Sequence, residues 1–285
     1  MNRVAAVTFL SLVGGALALY GCAKNSATGR TQFNLMNRDQ EIALGMQAAP
    51  ELISGYGGEV PDQVLRDYVT RIGLKVAAGV EKEYQNIPWK FTLLNSDVIN
   101  AFALPGGQVF MSRALMERMT NEAQLAGVLG HECGHVTAEH IDQRMGRENT
   151  LQIGAAIAGA AAGAEYGDLV ANGILQTGGL FTMKFGRGEE SEADSLGIRY
   201  MVRAGYNPEG QLQVMQILKE ASGGGGPPEW LSTHPAPQTR INEIKDLLRD
   251  KYAKTANNPE YTFGEASFAP MLDRLKRLPP APKAK

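Results

Sequence analysis

The chain contains little cysteine, little histidine and no excess of positive charge. Its 285 residues include two cysteines and four histidines, and 28 Lys and Arg residues nearly balance 30 Asp and Glu residues, for a net charge of −2. This balance provides no basic face, so nucleic acid is not an expected partner. Because 44% of the residues are hydrophobic, the chain can bury a sizeable core. The composition therefore indicates a folded protein that is neither disordered nor dominated by membrane spans.

The first residues have the pattern of a targeting segment. Arg3 precedes an apolar run from Val4 to Tyr20, and Gly21 and Cys22 follow. The run is marginal for a membrane span, which needs about 20 apolar residues, although a transmembrane anchor is the alternative interpretation. The segment resembles a bacterial lipoprotein signal, which implies cleavage before Cys22 and lipidation of that cysteine. By the same analogy, Ala23 favours the outer membrane.

The pentapeptide His131-Glu132-Cys133-Gly134-His135 carries the clearest chemical signal in the chain. Asn121 is a predicted N-cap, and apolar residues recur at helical spacing after it. At about 100° per residue, His131 and His135 share one face, Glu132 lies beside them and Cys133 points away. Two such imidazoles can bind one zinc ion while the carboxylate acts as a general base on its bound water. The sequence therefore predicts one Zn²⁺ per chain and a catalytic Glu132.

Cys133 invites a metal or redox role because it lies inside this motif. It faces away from the two imidazoles, and a lipidated Cys22 leaves it no disulfide partner. We expect Cys133 to be a small buried hydrophobic residue.

A third protein ligand is needed to complete a catalytic zinc site. An acidic helix downstream supplies Glu189, Glu190 and Glu192, and spacing alone does not choose among them. Small residues on that helix, Ala193 and Gly197, allow it to pack closely against the zinc helix. His140 is a rival ligand, but it lies about 140° around a continuous helix from His135 and is expected at the surface.

The region before the zinc helix changes to a strand pattern. Trp89 to Leu94, Val98 to Leu104 and Gln108 to Met111 are predicted strands, with a turn at 105–107. An extended peptide could add to the edge of this small sheet, with Asn100, Ala101 and Phe102 as the candidate substrate-binding residues. Ordinary sheet core is the alternative interpretation of the same residues.

The Gly/Ala-rich stretch at 151–180 has two interpretations. Many glycines and small side chains favour a mobile helical lid. A membrane span is the alternative, but only about a dozen consecutive apolar or small residues occur before Glu165, which is too few to cross a bilayer.

Four motifs occur in order along the chain, and together they resemble peptidase family M48. The resemblance covers Gly29 to Arg249. The motifs are Asn100-Ala101-Phe102-Ala103-Leu104-Pro105-Gly106-Gly107, the zinc-helix pentapeptide, Arg187 through Glu190 to Ala193-Asp194, and His234-Pro235 followed by Arg240.

The resemblance implies roles that spacing left open. It makes Glu190 the third zinc ligand and leaves Glu189 and Glu192 as solvated neighbours. Asp194 becomes the group that orients a ligating imidazole, as such sites need. His234 is placed near the metal, where it either occupies the open position or stabilises the oxyanion. Arg240 holds that loop or binds Asp194.

We therefore expect an α+β, mostly α, gluzincin-like metalloprotease domain with a small β-sheet beside the zinc helix. Its predicted organisation is a signal peptide at 1–21, a tether at 22–36, the metallopeptidase domain at 37–253 and a partly disordered tail at 254–285.

The expected function is zinc-dependent endoproteolysis of misfolded or unassembled proteins in a bacterial envelope. The resemblance further implies a periplasm-facing lipoprotein, extended peptide substrates and a link to envelope assembly machinery. The alternative function is a zinc-bearing but proteolytically silent chaperone or outer-membrane assembly factor.

Overall fold

A computed structural model describes residues 22–147, 184–222, 228–235 and 237–282. The predicted signal peptide and the stretch at 151–180 lie outside the described residues. The strands are β1 (Cys22–Lys24), β2 (Thr31–Phe33), β3 (Lys90–Leu94), β4 (Ala101–Leu104) and β5 (Gln108–Ser112). The helices are α1 (Arg38–Gly55), α2 (Gln63–Ala77), α3 (Arg113–Met116), α4 (Glu122–Thr137), α5 (Arg187–Arg203), α6 (Glu209–Ala221), α7 (Glu229–Thr233), α8 (Pro237–Lys251) and α9 (Glu265–Lys276). The predicted mostly helical fold with a small sheet is confirmed.

The three-stranded sheet has the order β3-β5-β4. β5 is parallel to β3 and antiparallel to β4. The predicted turn at Pro105–Gly107 is a 3₁₀ turn in which Gly106 and Gly107 have positive φ angles of 74° and 95°, a conformation that favours glycine. β4 is one of the two edge strands, and the candidate substrate strand has to be at an edge.

Helix α4 is the central element, and all of its residues from Glu122 to Thr137 are buried. Its predicted N-cap is confirmed, because the Asn121 side chain accepts a hydrogen bond from the backbone of Gln124. A Cβ added at Gly134 would lie 2.7 Å from the carbonyl oxygen of Ala193, and one at Gly130 would lie 3.0 Å from that of Gly197. The predicted close packing of α4 on α5 is therefore confirmed.

Two terminal segments contain regular structure and packed side chains. At the predicted tether, β1 and β2 form an antiparallel hairpin, and the buried Asn25 donates hydrogen bonds to the Tyr84 hydroxyl and the Thr137 carbonyl, each at 2.8 Å. After residue 254, α9 buries Phe268 and Leu275 completely in the main core. Described parts of both segments belong to the folded domain because their side chains complete its hydrogen bonds and its core.

Within the ranges described, no helix is long and apolar enough to cross a membrane.

Candidate metal centre

Four buried side chains converge where α4, α5 and the end of α7 meet. His131, His135, Glu190 and His234 each offer a ligand atom, and these atoms all lie within 4.8 Å of one another. The Nε2 atoms of His131 and His135 are 3.1 Å apart. Glu190 Oε1 lies 3.4 Å from His135 Nε2, and Glu190 Oε2 lies 3.6 Å from His131 Nε2. The cluster can hold one metal ion.

Local structure explains why these side chains meet. Because the two histidines are four residues apart on α4, their rings lie on one face, with centroids 4.7 Å apart. Glu190 lies in the first turn of α5, and the glycine and alanine contacts between α4 and α5 let its carboxylate approach the imidazoles. The sequence placed three glutamates on this helix, and Glu190 is the one brought to the cluster.

The donor set fits a catalytic zinc site. Two imidazoles and one carboxylate are among the usual protein ligands of such zinc sites. Glu132 is 1% exposed, and its Oε1 has no hydrogen-bond partner among the residues described. Burying a carboxylate oxygen without a partner is costly, which is consistent with a site that accommodates a bound group such as water.

Asp194 and Arg240 contact the cluster residues His131 and Glu190. Asp194 Oδ1 lies 2.9 Å from His131 Nδ1, and Arg240 binds both carboxylate oxygens of Asp194 at 2.6 and 2.7 Å. Arg240 Nη1 also lies 2.5 Å from Glu190 Oε2. Burial opposes ionisation of Asp194, but the guanidinium and the imidazole hold its pKa below its ordinary value.

Glu190 has a similar electrostatic balance. Burial alone would raise its pKa, but His234, Arg240 and His135 together hold it well below the ordinary value. Glu190 therefore lies in the cluster as a carboxylate, which is the form that binds a metal.

His234 follows α7 and faces the cluster. Its Nδ1 lies 3.0 Å from Glu190 Oε1 and 3.3 Å from His131 Nε2, and its Nε2 lies 3.8 Å from Glu132 Oε1. The Trp230 ring stacks on the His234 ring with centroids 4.6 Å apart, and the His234 backbone N–H donates to the Trp230 carbonyl. These contacts fix the imidazole inside the buried site.

Two aromatic neighbours of the site were not predicted from the sequence. Phe185 lies over His135 with ring centroids 3.9 Å apart, and Trp230 also supports the guanidinium of Arg240 at 4.8 Å. Their positions in the sequence were the available signal. Phe185 lies two residues before the first residue of α5, and Trp230 lies four residues before His234.

The prediction of a surface position for His140 is wrong, since its side chain is fully buried. The prediction assumed a continuous helix, but α4 ends at Thr137 and Glu139 adopts a left-handed φ of 57°. This turn brings His140 Nδ1 to 2.9 Å from His135 Nδ1 and His140 Nε2 to 3.0 Å from Glu192 Oε2. Glu192 is thus bound to a buried imidazole rather than freely solvated.

The candidate substrate strand lies next to α7. The Ser112 N–H donates to the Asn100 carbonyl, so the backbone groups of Ala101 and Ala103 point away from β5. The Asn100 side chain donates to the Tyr56 hydroxyl and to the Glu229 carboxylate. The backbone N–H of Trp230 donates to the Ile99 carbonyl. Ala101 is fully buried, so this edge is covered in the present structure.

Cys133 is fully buried in the main hydrophobic core. Burial raises the pKa of its thiol well above the ordinary value, so it is held as a neutral thiol.

The comparisons with known proteins agree with this geometry. The profile of Peptidase family M48 matches residues 64–248. The chain is 32% identical over 265 residues to the beta-barrel assembly-enhancing protease of Yersinia pestis, covering 84% of this chain and 53% of that protein. It is 30% identical over 225 residues to the protein of the same name from Escherichia coli strain K12, covering 76% of this chain and 46% of that protein.

A mitochondrial relative is also similar. Mitochondrial metalloendopeptidase OMA1 of Schizosaccharomyces pombe is 27% identical over 258 residues, covering 88% of this chain and 72% of that protein. The chain spans about half the length of the two bacterial relatives named above.

Proposed function

Because the chain belongs to peptidase family M48, we propose that it is a zinc-dependent metalloendopeptidase. The observation that carries the proposal is the buried convergence of His131, His135 and Glu190 beside a Glu132 carboxylate oxygen that has no hydrogen-bond partner in the described part of the chain. His131, His135 and Glu190 hold the zinc ion in this proposal. Zinc bound there would lower the pKa of a bound water to about 7 and polarise the scissile carbonyl.

The chain's own side chains supply the proton transfers. Glu132 accepts a proton from the attacking water and returns it to the leaving amine. Asp194 fixes the orientation of His131, and Arg240 fixes Asp194 and Glu190 in turn. The charged groups of Asp194, Arg240 and Glu190 are thus already in position before the reaction, so little reorganisation is needed in the transition state.

His234 controls access in this proposal. Its Nδ1 lies within the cluster of ligand atoms, and its ring is 1% exposed. We assign it the role of a cap, because it would bind the zinc ion together with His131, His135 and Glu190 in the closed state. The alternative role, stabilising the oxyanion, requires His234 to leave the ligand cluster.

The substrates in this proposal are misfolded or unassembled envelope proteins that bind as an added strand. β4 is an edge strand of the sheet, and Ala101 and Ala103 direct backbone groups away from β5. An extended peptide binds there through main-chain hydrogen bonds, with Asn100 and Phe102 flanking Ala101. Because this edge is covered, binding requires displacement of the covering residues.

The proposed location is the periplasmic side of the outer membrane, with lipid on Cys22. The lipobox-like sequence ending at Cys22 supports it. The names of the bacterial relatives support a link to envelope assembly, since each is called a beta-barrel assembly-enhancing protease.

A zinc-bearing assembly factor without proteolysis is the second candidate. The observation that favours it is the closed site, in which His234 and the covered β4 edge both restrict access. The two candidates differ in whether Glu132 is needed for function.

The test combines zinc content with casein cleavage. Wild-type protein is expected to hold one zinc per chain and cleave casein, and Glu132→Gln to retain zinc while losing about 10²- to 10⁴-fold in rate. Glu190→Gln should instead lose zinc. Glu189→Gln is the matched control on the same helix and should change neither. Wild-type protein without stoichiometric zinc, or full cleavage by Glu132→Gln, would reject the proposal.

A trapping experiment then identifies substrates. Envelope proteins that co-purify with Glu132→Gln but not with wild-type protein are expected to be cleaved by the wild-type enzyme. An assembly factor would instead retain its partners equally in both forms.

A further inference from the structure

The contacts around His135 differ from those around His131. His131 Nδ1 faces the carboxylate of Asp194, which is itself held by Arg240. His135 Nδ1 faces a second imidazole, that of His140, at 2.9 Å. His140 in turn faces Glu192, so a chain of three side chains leads from the metal cluster to the protein surface.

The hydrogen bonds that link His135, His140 and Glu192 can be assigned one consistent direction. His135 presents Nε2 to the cluster, so a neutral ligating imidazole carries its hydrogen on Nδ1. That Nδ1–H donates to His140 Nδ1, which must then be without hydrogen. His140 consequently carries its hydrogen on Nε2 and donates it to Glu192 Oε2 at 3.0 Å. Each ring nitrogen of His135 and His140 then has one role, as metal ligand, hydrogen-bond donor or hydrogen-bond acceptor.

The surroundings hold this arrangement in place. His140 is completely buried, and Glu192 retains 23% of its side-chain exposure and pairs with Arg30 of the N-terminal hairpin. Phe185 lies over the His135 ring and restricts its rotation.

We propose that His140 and Glu192 are positioning residues for the metal centre, because they hold His135 in the tautomer and orientation that bind the ion. This inference rests on the proposed zinc site at His131, His135 and Glu190. A group that accepts the N–H on the non-ligating nitrogen of an imidazole fixes its tautomer and raises its basicity as a ligand. A buried imidazole performs that role for His135, as Asp194 does for His131.

The experiment measures zinc affinity by chelator competition on the purified full chain. His140→Phe conserves a buried ring but removes the acceptor, and it is expected to weaken zinc binding about 10- to 100-fold. Glu192→Ala should cause a smaller loss, because it removes the second link only. Glu192→Gln keeps an oxygen that accepts from His140 and should restore affinity to near the wild-type value.

Glu189→Ala is the matched control. Glu189 lies on the same face of α5 near the surface and pairs with Arg147 rather than with an imidazole. It should leave affinity within about twofold of wild type, the difference expected of an exposed ion pair. Equal losses for Glu189→Ala and Glu192→Ala would overturn the inference.

A second readout separates positioning from folding. The visible spectrum of the cobalt(II)-loaded protein reports the geometry around the metal and should change in His140→Phe but not in Glu189→Ala. If His140→Phe does not fold, the zinc affinities of Glu192→Ala and Glu192→Gln test the positioning role instead.

The failures of the two proposals are distinguishable. Wild-type protein without stoichiometric zinc would reject the proposed function. Tight zinc binding by wild-type protein and equally tight binding by folded His140→Phe would reject only the positioning role.

Discussion

Arg240 pairs with two buried carboxylates at the metal centre. It is 1% exposed and binds the carboxylates of both Glu190 and Asp194. Burial alone would lower its pKa, but Asp194 and Glu190 raise it above the ordinary value. Removing one partner of a buried ion pair is more damaging than replacing the whole pair, because a charge is left without compensation.

Arg240→Met should therefore destabilise the metal-free protein by about 3–5 kcal/mol. The carboxylates of Glu190 and Asp194 would then lie buried without a guanidinium, and only histidines and the Gln211 amide would remain as their partners. Urea denaturation followed by circular dichroism measures this loss. Arg249→Met is the control, since Arg249 is exposed and pairs with Asp246 and Asp250, and it should leave stability unchanged. Equal stability of the two variants would contradict the role given to Arg240.

His234 makes the second prediction at this scale. If it caps the metal, His234→Ala opens the site, so casein cleavage should rise while zinc remains bound to the other three ligands. Initial rates at saturating casein, with zinc content measured on the same samples, provide the test. A fall in rate with zinc retained would assign His234 to oxyanion stabilisation instead.

The junction between α1 and the turn after α4 makes a prediction at the scale of elements. Glu41 of α1 is buried beside Glu139 and Asp142, and Arg38 is the cation that pairs with both Glu41 and Glu139. Burial raises the pKa of Glu41 to about 8, and with Glu139 it raises that of Asp142 to about 6. The folded state therefore binds protons here that the unfolded chain releases.

Stability should fall as pH rises through this range. Above the ordinary pKa of 4.5 the unfolded chain loses the Glu41 proton, whereas the folded protein keeps it until the pH reaches about 8. Glu41→Gln cannot ionise, so its free energy of unfolding should depend less on pH between these limits. Urea titrations at several pH values measure the slope. Glu51→Gln, exposed on the same helix, should keep the wild-type slope.

The N-terminal hairpin joins the zinc helix through Asn25, which makes a further prediction at this scale. Its amide donates to the carbonyl of Thr137, the last residue of α4, and its Oδ1 accepts from the backbone N–H groups of Ala27 and Thr28. Asn25→Ala leaves these buried groups unpaired and should cost about 1–3 kcal/mol in urea denaturation. Asn242→Ala on the exposed face of α8 serves as the control and should cost nothing measurable.

Across the whole molecule, the sequence predicted the elements that obey regular periodicity. Local signals in the sequence predicted α4, its N-cap at Asn121 and the strands before it. The structure contains all of these elements. The position predicted for His140 was wrong because periodicity does not show where a helix ends. The left-handed turn at Glu139 directs the His140 side chain towards the buried His135. The strands of the N-terminal hairpin have three residues each, too short for alternation to be read.

The bounds of the C-terminal helix depend on tertiary packing. Proline removes a backbone hydrogen-bond donor, so local preference alone would not continue a helix through Pro270. α9 instead starts at Glu265 and includes Pro270, so Phe268 and Leu275 project from one helix into the core. Tertiary burial of these two side chains outweighs the cost of the proline.

This packing predicts that the C-terminal segment is required for stability. Phe268 contacts the Tyr68 ring, and the carbonyl of Phe263 accepts a hydrogen bond from the Ala123 N–H in the first turn of α4. Deleting residues 259–285 removes two fully buried side chains, each worth about 1.5–3 kcal/mol, and leaves a donor of the zinc helix unpaired. Urea denaturation should show a loss of at least about 3 kcal/mol. Deleting only residues 283–285 is the control and should leave stability unchanged. If both truncated chains unfold at the same urea concentration as wild type, the C-terminal segment is dispensable for stability.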